Sequence, residues 1–269
     1  MKAGFVEGTI GSLLAASEYA ATAEQVAAAG GALQRVDPRV KAAGLFALIA
    51  AVALSRSLTA IGCVFVAAIL LALASGIDPR LLARLVWIPV LFFTGAIALP
   101  AIFLTPGTPA FGFGGIAVTV QGIRSAGFLI ARAETAATLS ALLALTTPWP
   151  WVMKALRSLG CPIVLVAILG MTFRYIFVIL QTAAEMFESR KSRTVGHLEP
   201  ADRRRLAASA AGVLMSKSLH LSGDVHLAMQ SRGFRGEVHV LHDFHMRMAD
   251  WWWLSGFVLM TAAAIWFGG

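Results

Sequence analysis

Three groups of residues in this 269-residue chain have types and spacings that could support chemistry. His239, His242 and His245 recur at every third position with Asp243 among them. On a helix, i and i+3 can share a face, and imidazoles so placed can hold a cation. Each residue turns the helix by about 100°, however, so three such steps drift around it. With Gly236 just ahead, the stretch reads better as a polar connector at a membrane interface than as a metal site. Arg124, Arg132 and Glu134 lie in an otherwise apolar run, where charge is functional by default or paired. Arg132 and Glu134, two apart, do not face one another. They are candidates for interhelical or partner-subunit contact, or for a position near the membrane boundary. The third group is a pair of tripeptides, Ser192-Arg193-Thr194 and Ser231-Arg232-Gly233, each ending a long helix-patterned run. An arginine at a helix end is often only a cation favoured by the C-terminal dipole. Here the arrangement repeats: a small hydroxyl residue, an Arg, and a glycine soon after (Gly196, Gly233). The guanidinium fork of five donors suits an acidic pocket on a partner.

Enzymatic patterns do not appear. The glycines of Phe111-Gly-Phe-Gly-Gly115 precede no lysine, so there is no phosphate-binding GxxxxGK[ST] loop and no ATP site in this chain. GxSxG, HExxH and paired-carboxylate arrangements are also missing. Cys63 and Cys161 form neither a CxxC nor a zinc spacing. The expectation is a non-catalytic protein with no cofactor of its own.

The elements that must position these residues follow from composition. Apolar residues make up 58% of the chain and charged residues 13%, with a mean hydropathy of +0.77. Soluble domains carry about 25% charged residues, so the chain reads as an integral membrane protein. The net charge of +8 sits beside apolar spans, where it fixes loops in the cytoplasm rather than binding nucleic acid. The first residues lack a basic segment followed by an apolar run, so no cleaved signal is expected.

Residues 1–34 are Ala/Gly-rich, an extension that could form an interfacial helix. The basic turn Arg35–Lys41 then leads into a first short span, Ala42–Leu54 extended to Leu58, with Lys41 and Arg56 snorkelling. Thr59–Gly76 is a second span and Leu85–Leu104 a third, interrupted by Pro89 and Pro100. An uncharged external loop, Thr105–Gly115, precedes a fourth segment, Ile116–Thr146. Charges alternate across these spans as the positive-inside rule requires. The next apolar run, Cys161–Leu180, breaks the pattern. Lys154 and Arg157 precede it, Arg174 lies inside it, and Arg190, Lys191 and Arg193 follow. Both flanks demand the cytoplasmic side, so a helix over Pro162–Arg193, about 45–50 Å long, is expected to lie along the inner surface. A second helix runs from Glu199-Pro200 to Gly233. Trp251–Phe267 forms a last span, opened by three interfacial tryptophans.

At its tripeptides and turns the sequence resembles the transmembrane T component of energy-coupling factor (ECF) transporters, in particular the cobalt/nickel CbiQ type. The matching stretches are Val36-Asp-Pro-Arg-Val-Lys41, Leu145-Thr-Thr-Pro148, Ala155-Leu-Arg-Ser-Leu-Gly-Cys-Pro162, Phe173-Arg-Tyr-Ile-Phe177, Ser189-Arg-Lys-Ser-Arg-Thr-Val-Gly196 and Leu227-Ala-Met-Gln-Ser-Arg-Gly-Phe234. That family carries an Ala-Arg-Gly-type motif at the ends of two cytoplasmic coupling helices docked on two ATP-binding-cassette subunits. Here Ser replaces Ala in both motifs, and Thr ends the first. The resemblance implies ATPase docking by Ser192, Arg193, Thr194, Ser231, Arg232 and Gly233. It also implies ATP and Mg on the partner subunits, and a separate substrate-binding membrane subunit.

The expected architecture is an all-α integral membrane protein of the prokaryotic inner membrane with about five transmembrane helices. Its parts are an extension (1–34), helices 1–4 (35–146), a cytoplasmic module of long amphipathic coupling helices (147–247) and a C-terminal span (248–269). The expected function is a coupling subunit of an ECF-type importer for cobalt or nickel, or for biotin or another vitamin. A self-contained secondary transporter using Arg132 and Glu134, or an ordinary ABC permease, is the alternative.

Overall fold

The computed structural model describes residues 8, 11, 27, 30–105, 108–113, 116–192, 199–234 and 246–268. The interfacial helix expected within residues 1–34 lies mostly outside them. The described part of that stretch ends in a single 3-10 turn, Leu33–Arg35. Contacts divide the chain into two units, Ala23–Leu159 with Phe244–Gly269, and Met1–Thr22 with Gly160–Asp243.

The first unit is built from α1 (Pro38–Leu54), α2 (Leu58–Ala74), α3 (Pro79–Leu82), a π-helical turn (Ala83–Trp87), α4 (Ile88–Leu104), α5 (Val120–Thr146), α6 (Trp149–Ser158) and α9 (Met248–Trp266). Two Asp-Pro-Arg turns start helices by the same device. Asp37 Oδ1 accepts the Arg39 N–H at 2.8 Å and Asp78 Oδ1 accepts the Arg80 N–H at 2.9 Å. Proline occupies the first helical turn in both, where its missing N–H costs nothing.

The core is organised on α1. Leu45, Leu48, Ala51 and Val52 are buried there against Ile61, Leu139, Leu142 and Phe257. Around this core, α4 exposes Ile88, Phe92 and Phe93, and α9 exposes Trp252, Val258 and Leu259. Large apolar side chains that face outward from a packed core suit a lipid solvent.

The third span begins earlier than expected. Asp78-Pro79 starts a helical run that continues through the π turn into α4, with Pro100 inside it. The indole N–H of Trp87 in that turn donates to Thr138 Oγ1 on α5 at 3.1 Å. The expected loop Thr105–Gly115 contains a strand: Pro109–Phe113 pairs antiparallel with Ile116–Thr119. The fourth helix therefore starts at Val120, capped by Thr119, whose Oγ1 accepts the Gly122 N–H at 3.1 Å. Apart from this hairpin the described chain is helical.

The second unit holds α7 (Ile163–Lys191) and α8 (Pro200–Ser231). Among the described residues, four helical stretches are long and apolar enough to cross a membrane: Pro79–Pro100, Val120–Thr146, Ile163–Lys191 and Met248–Trp266. Length and composition thus admit α7 as well. None of its most apolar stretch is buried within the chain.

Candidate functional site

The two helices of the second unit approach each other beside their connection. Ala183 and Phe187 of α7 and Ala210 of α8 are buried there. Met186, Phe187 and Arg190 share a small crevice with Leu206 and Ala210. Small residues at this crossing let the backbones come close. Farther along, the helices separate around an apolar groove of about 660 Å³, where Met171, Tyr175 and Ile179 face Leu221, Val225 and Met229. The connection between the helices and the open mouth of the groove therefore lie at opposite ends of α8. With 32 residues, that helix is about 48 Å long.

The second tripeptide sits at the open end in a specific geometry. Gly233 has φ +77, the left-handed region that only glycine adopts without strain. Its N–H donates to the Gln230 carbonyl at 2.9 Å, and the Phe234 N–H reaches back to the Met229 carbonyl at 3.0 Å. Together these two bonds make a Schellman turn, with Arg232 as the C-cap. Phe234 folds back to line the groove beside Met229, which supplies the apolar contact that usually accompanies such a turn. Arg232 is left exposed on a locked helix end.

At the other end, Ser192 caps α7, its N–H bonded to the Glu188 carbonyl at 3.2 Å. Arg193 and Thr194 lie outside the described residues, as do His239, His242 and His245. Both serine hydroxyls turn inward. Ser192 Oγ donates to the Ser189 carbonyl at 2.8 Å, and Ser231 Oγ to the Leu227 carbonyl at 3.0 Å. They complete their own helix ends, leaving the arginine as the projecting group at Arg232.

The family model described as CbiQ, cobalt transport protein, matches residues 31–242. The chain belongs to the CbiQ family. An uncharacterized protein of Methanocaldococcus jannaschii is 30% identical over 242 residues, covering 88% of this chain and 83% of its own length. The cobalt transport protein CbiQ of Rhodobacter capsulatus is 31% identical over 161 residues, 57% of this chain and 64% of that protein. The energy-coupling factor transporter transmembrane protein EcfT of Leuconostoc gelidum is 29% identical over 148 residues, 51% and 55% respectively. The chain is accordingly a multi-pass membrane component of ECF-type transport, within the CbiQ family.

In this CbiQ-family chain, the charges of α5 are only partly brought together. The Arg132 guanidinium donates to the carbonyl of Ser55, the residue that ends α1. Its Cζ lies 5.6 Å from the centre of the Phe128 ring, and Arg124 Cζ lies 5.7 Å from the same ring. Arg132 is thus an interhelical contact within the chain. Glu134 joins neither arginine. Both of its carboxylate oxygens are buried with no hydrogen-bond partner among the described residues.

Lys41 departs from expectation most clearly. Instead of snorkelling it is 1% exposed. Its Nζ donates to the Thr146 carbonyl at 2.9 Å and lies 3.4 Å from Thr146 Oγ1. Two of the stretches that carried the family resemblance, 36–41 and 145–148, therefore meet. Asp250, which the sequence did not single out, is 4% exposed and accepts backbone N–H groups from Asp37 at 2.9 Å and Arg247 at 2.8 Å. Its sequence signal was faint: an acid in the first turn of the last helix.

Proposed function

We propose that this chain is the coupling subunit of an ECF-type importer and carries no chemistry of its own. Two ATPase subunits, holding ATP and Mg, grip the α7 end at Arg193 and the α8 end at Arg232. Closure of the ATPase pair displaces these ends, and the apolar faces of α7 and α8 pass the movement to a separate substrate-binding membrane subunit. Cobalt or nickel ion is the cargo suggested by the family and by the Rhodobacter relative's name, with biotin or another vitamin as the alternative.

The observation that carries this reading is the exposed Arg232 on a helix end fixed by a Schellman turn. A flexible cation could bind an acidic pocket but would transmit little force. One held at the end of a 32-residue helix can act as a lever. The apolar face of α7, unburied within the chain, supplies a surface for lipid and for the substrate-binding subunit. The charges flanking α7, Lys154 and Arg157 on one side and Arg190, Lys191 and Arg193 on the other, argue for placing the module at the cytoplasmic face.

The test is Arg193→Ala combined with Arg232→Ala in the complete transporter. The double variant is expected to stay in the membrane and to lose both Co(II) uptake and ATPase coupling. Normal assembly and normal uptake would overturn the proposal. Glu134, whose carboxylate has no hydrogen-bond partner among the described residues, supports one other reading, a secondary transporter. Co(II) uptake by proteoliposomes containing this chain alone would establish that reading instead.

A further inference from the structure

Of the three points at which the chain passes between the units, at 22–23, 159–160 and 243–244, the last two flank the α7–α8 stretch. The chain runs out through α6, which follows directly on the end of α5, and returns just ahead of α9. Both departures are fastened to the first turn of α1. On one side, Lys41 Nζ bonds the carbonyl of Thr146, the last residue of α5. The ammonium takes one of the acceptors that a helix C-terminus leaves unpaired, at the negative end of the dipole. Next in the chain, α6 buries Met153 and Ala155, and Ala155 belongs to the same apolar core as α1.

On the other side, the Asp250 carboxylate divides its two oxygens between the ends of two helices. Oδ2 takes the N–H of Arg247, the cap of its own helix α9, and Oδ1 takes the N–H of Asp37, the cap of α1. Asp37 in turn uses its own carboxylate within α1, on the Arg39 N–H. Lys41 and Asp250 are both almost fully buried. Among the described residues, Asp250 bonds only backbone N–H groups, and Lys41 bonds only Thr146, its carbonyl and its hydroxyl, so both charges are spent on fixing position. Ordinary core packing would not require two such charges, one on α1 and one on α9, to act within a single turn of the start of α1.

We propose that Asp37, Lys41 and Asp250 form a clasp that holds still the end of α5 and the start of α9, between which the chain leaves for and returns from the α7–α8 unit, so that force applied to that unit moves it against a fixed base. They are positioning residues. The inference rests on the coupling function proposed above, and adds where the lever is anchored.

The clasp can be tested in the complete transporter, reconstituted in proteoliposomes with ATP inside reach of the ATPases and radiolabelled Co(II) as the probe. Lys41→Met and Asp250→Asn are each expected to leave assembly and ATP hydrolysis near normal. Uptake per ATP hydrolysed should fall about tenfold, the worth of one hydrogen bond to a charged group in an equilibrium constant. Lys41→Arg, which keeps the charge and the donors, should restore most of the ratio. A ratio unchanged in both variants overturns the clasp, as does uptake that falls only in step with the amount of complex. Should Lys41→Met not accumulate, Lys41→Gln is read in the same way. If neither accumulates, the clasp is a folding element alone and the inference fails. Arg232→Ala, run alongside, separates the two ideas. If it uncouples while the clasp variants do not, the clasp alone is wrong. If Arg232→Ala also transports normally, the coupling function itself fails.

Discussion

Arg232 depends on the residue after it. Gly233 adopts φ +77, and a Cβ added there would meet nothing within 4 Å. Gly233→Ala therefore carries only the backbone penalty of the left-handed region, about 1 kcal/mol. That is small for the whole protein but large for one exposed helix end, and it frays the turn that fixes Arg232 and Phe234. Uptake in the complete transporter should fall while the thermal midpoint of the purified complex barely moves. Gly233→Asn should be milder, because asparagine tolerates the same conformation. An alanine variant that transports as well as the wild type would show that the turn's rigidity is irrelevant. Gly233 was legible in the sequence because a glycine closing a periodic run has one usual role, the C-terminal stop. Lys41 was not. A lysine just before an apolar run reads as a snorkelling cation, and its true acceptor is a backbone carbonyl 105 residues away. Side-chain pattern carries no mark of such a bond.

At the scale of elements, α1 is the helix the others pack around, and α9 lies close against it. Gly44 makes the approach possible: a Cβ there would come within about 2.5 Å of the Phe257 ring and 2.9 Å of Phe257 Cβ. The nearest atoms include the root of that side chain, so a rotamer change alone cannot clear the clash. Gly44→Ala is expected to destabilise the protein by about 1–3 kcal/mol, as overpacked cores generally do. The loss would appear as a lower melting temperature in detergent. In a Phe257→Ala background, which removes the two nearest atoms, Gly44→Ala should cost less, a coupling that a double-mutant cycle measures. If the two effects simply add, the helices do not meet where Gly44 and Phe257 place them. Most of the helices were readable from apolar runs bounded by Pro, Gly and charge. The start of α3 was missed because Arg80 and Arg84 made that stretch look like a loop, although Asp78-Pro79 is a helix cap. The hairpin was missed because a glycine-rich, uncharged stretch offers no alternating pattern to count.

For the whole molecule, the open choice is whether α7 crosses the bilayer, because the module's function depends on it. Its 29 residues are ample to span, and its apolar stretch is unburied within the chain. Hydropathy thus favours a crossing, while the basic residues on both flanks oppose one. The flanking charge is the stronger constraint. Moving Lys154 and Arg157, or Arg190 and Lys191, to the outer face violates the rule that orients short loops. An apolar helix at the interface, in contrast, can still bury one side in lipid and the other against a partner. Single cysteines at Ser158, Ser189 and Thr108, all exposed, test this once Cys63 and Cys161 are replaced by serine. A membrane-impermeant maleimide should label Ser158→Cys and Ser189→Cys together in inverted vesicles, and Thr108→Cys only from outside intact cells. If positions 158 and 189 label from opposite sides, α7 is a span. The two arginine-bearing ends of the module would then not lie together on the cytoplasmic side, and the ATPases could not grip both.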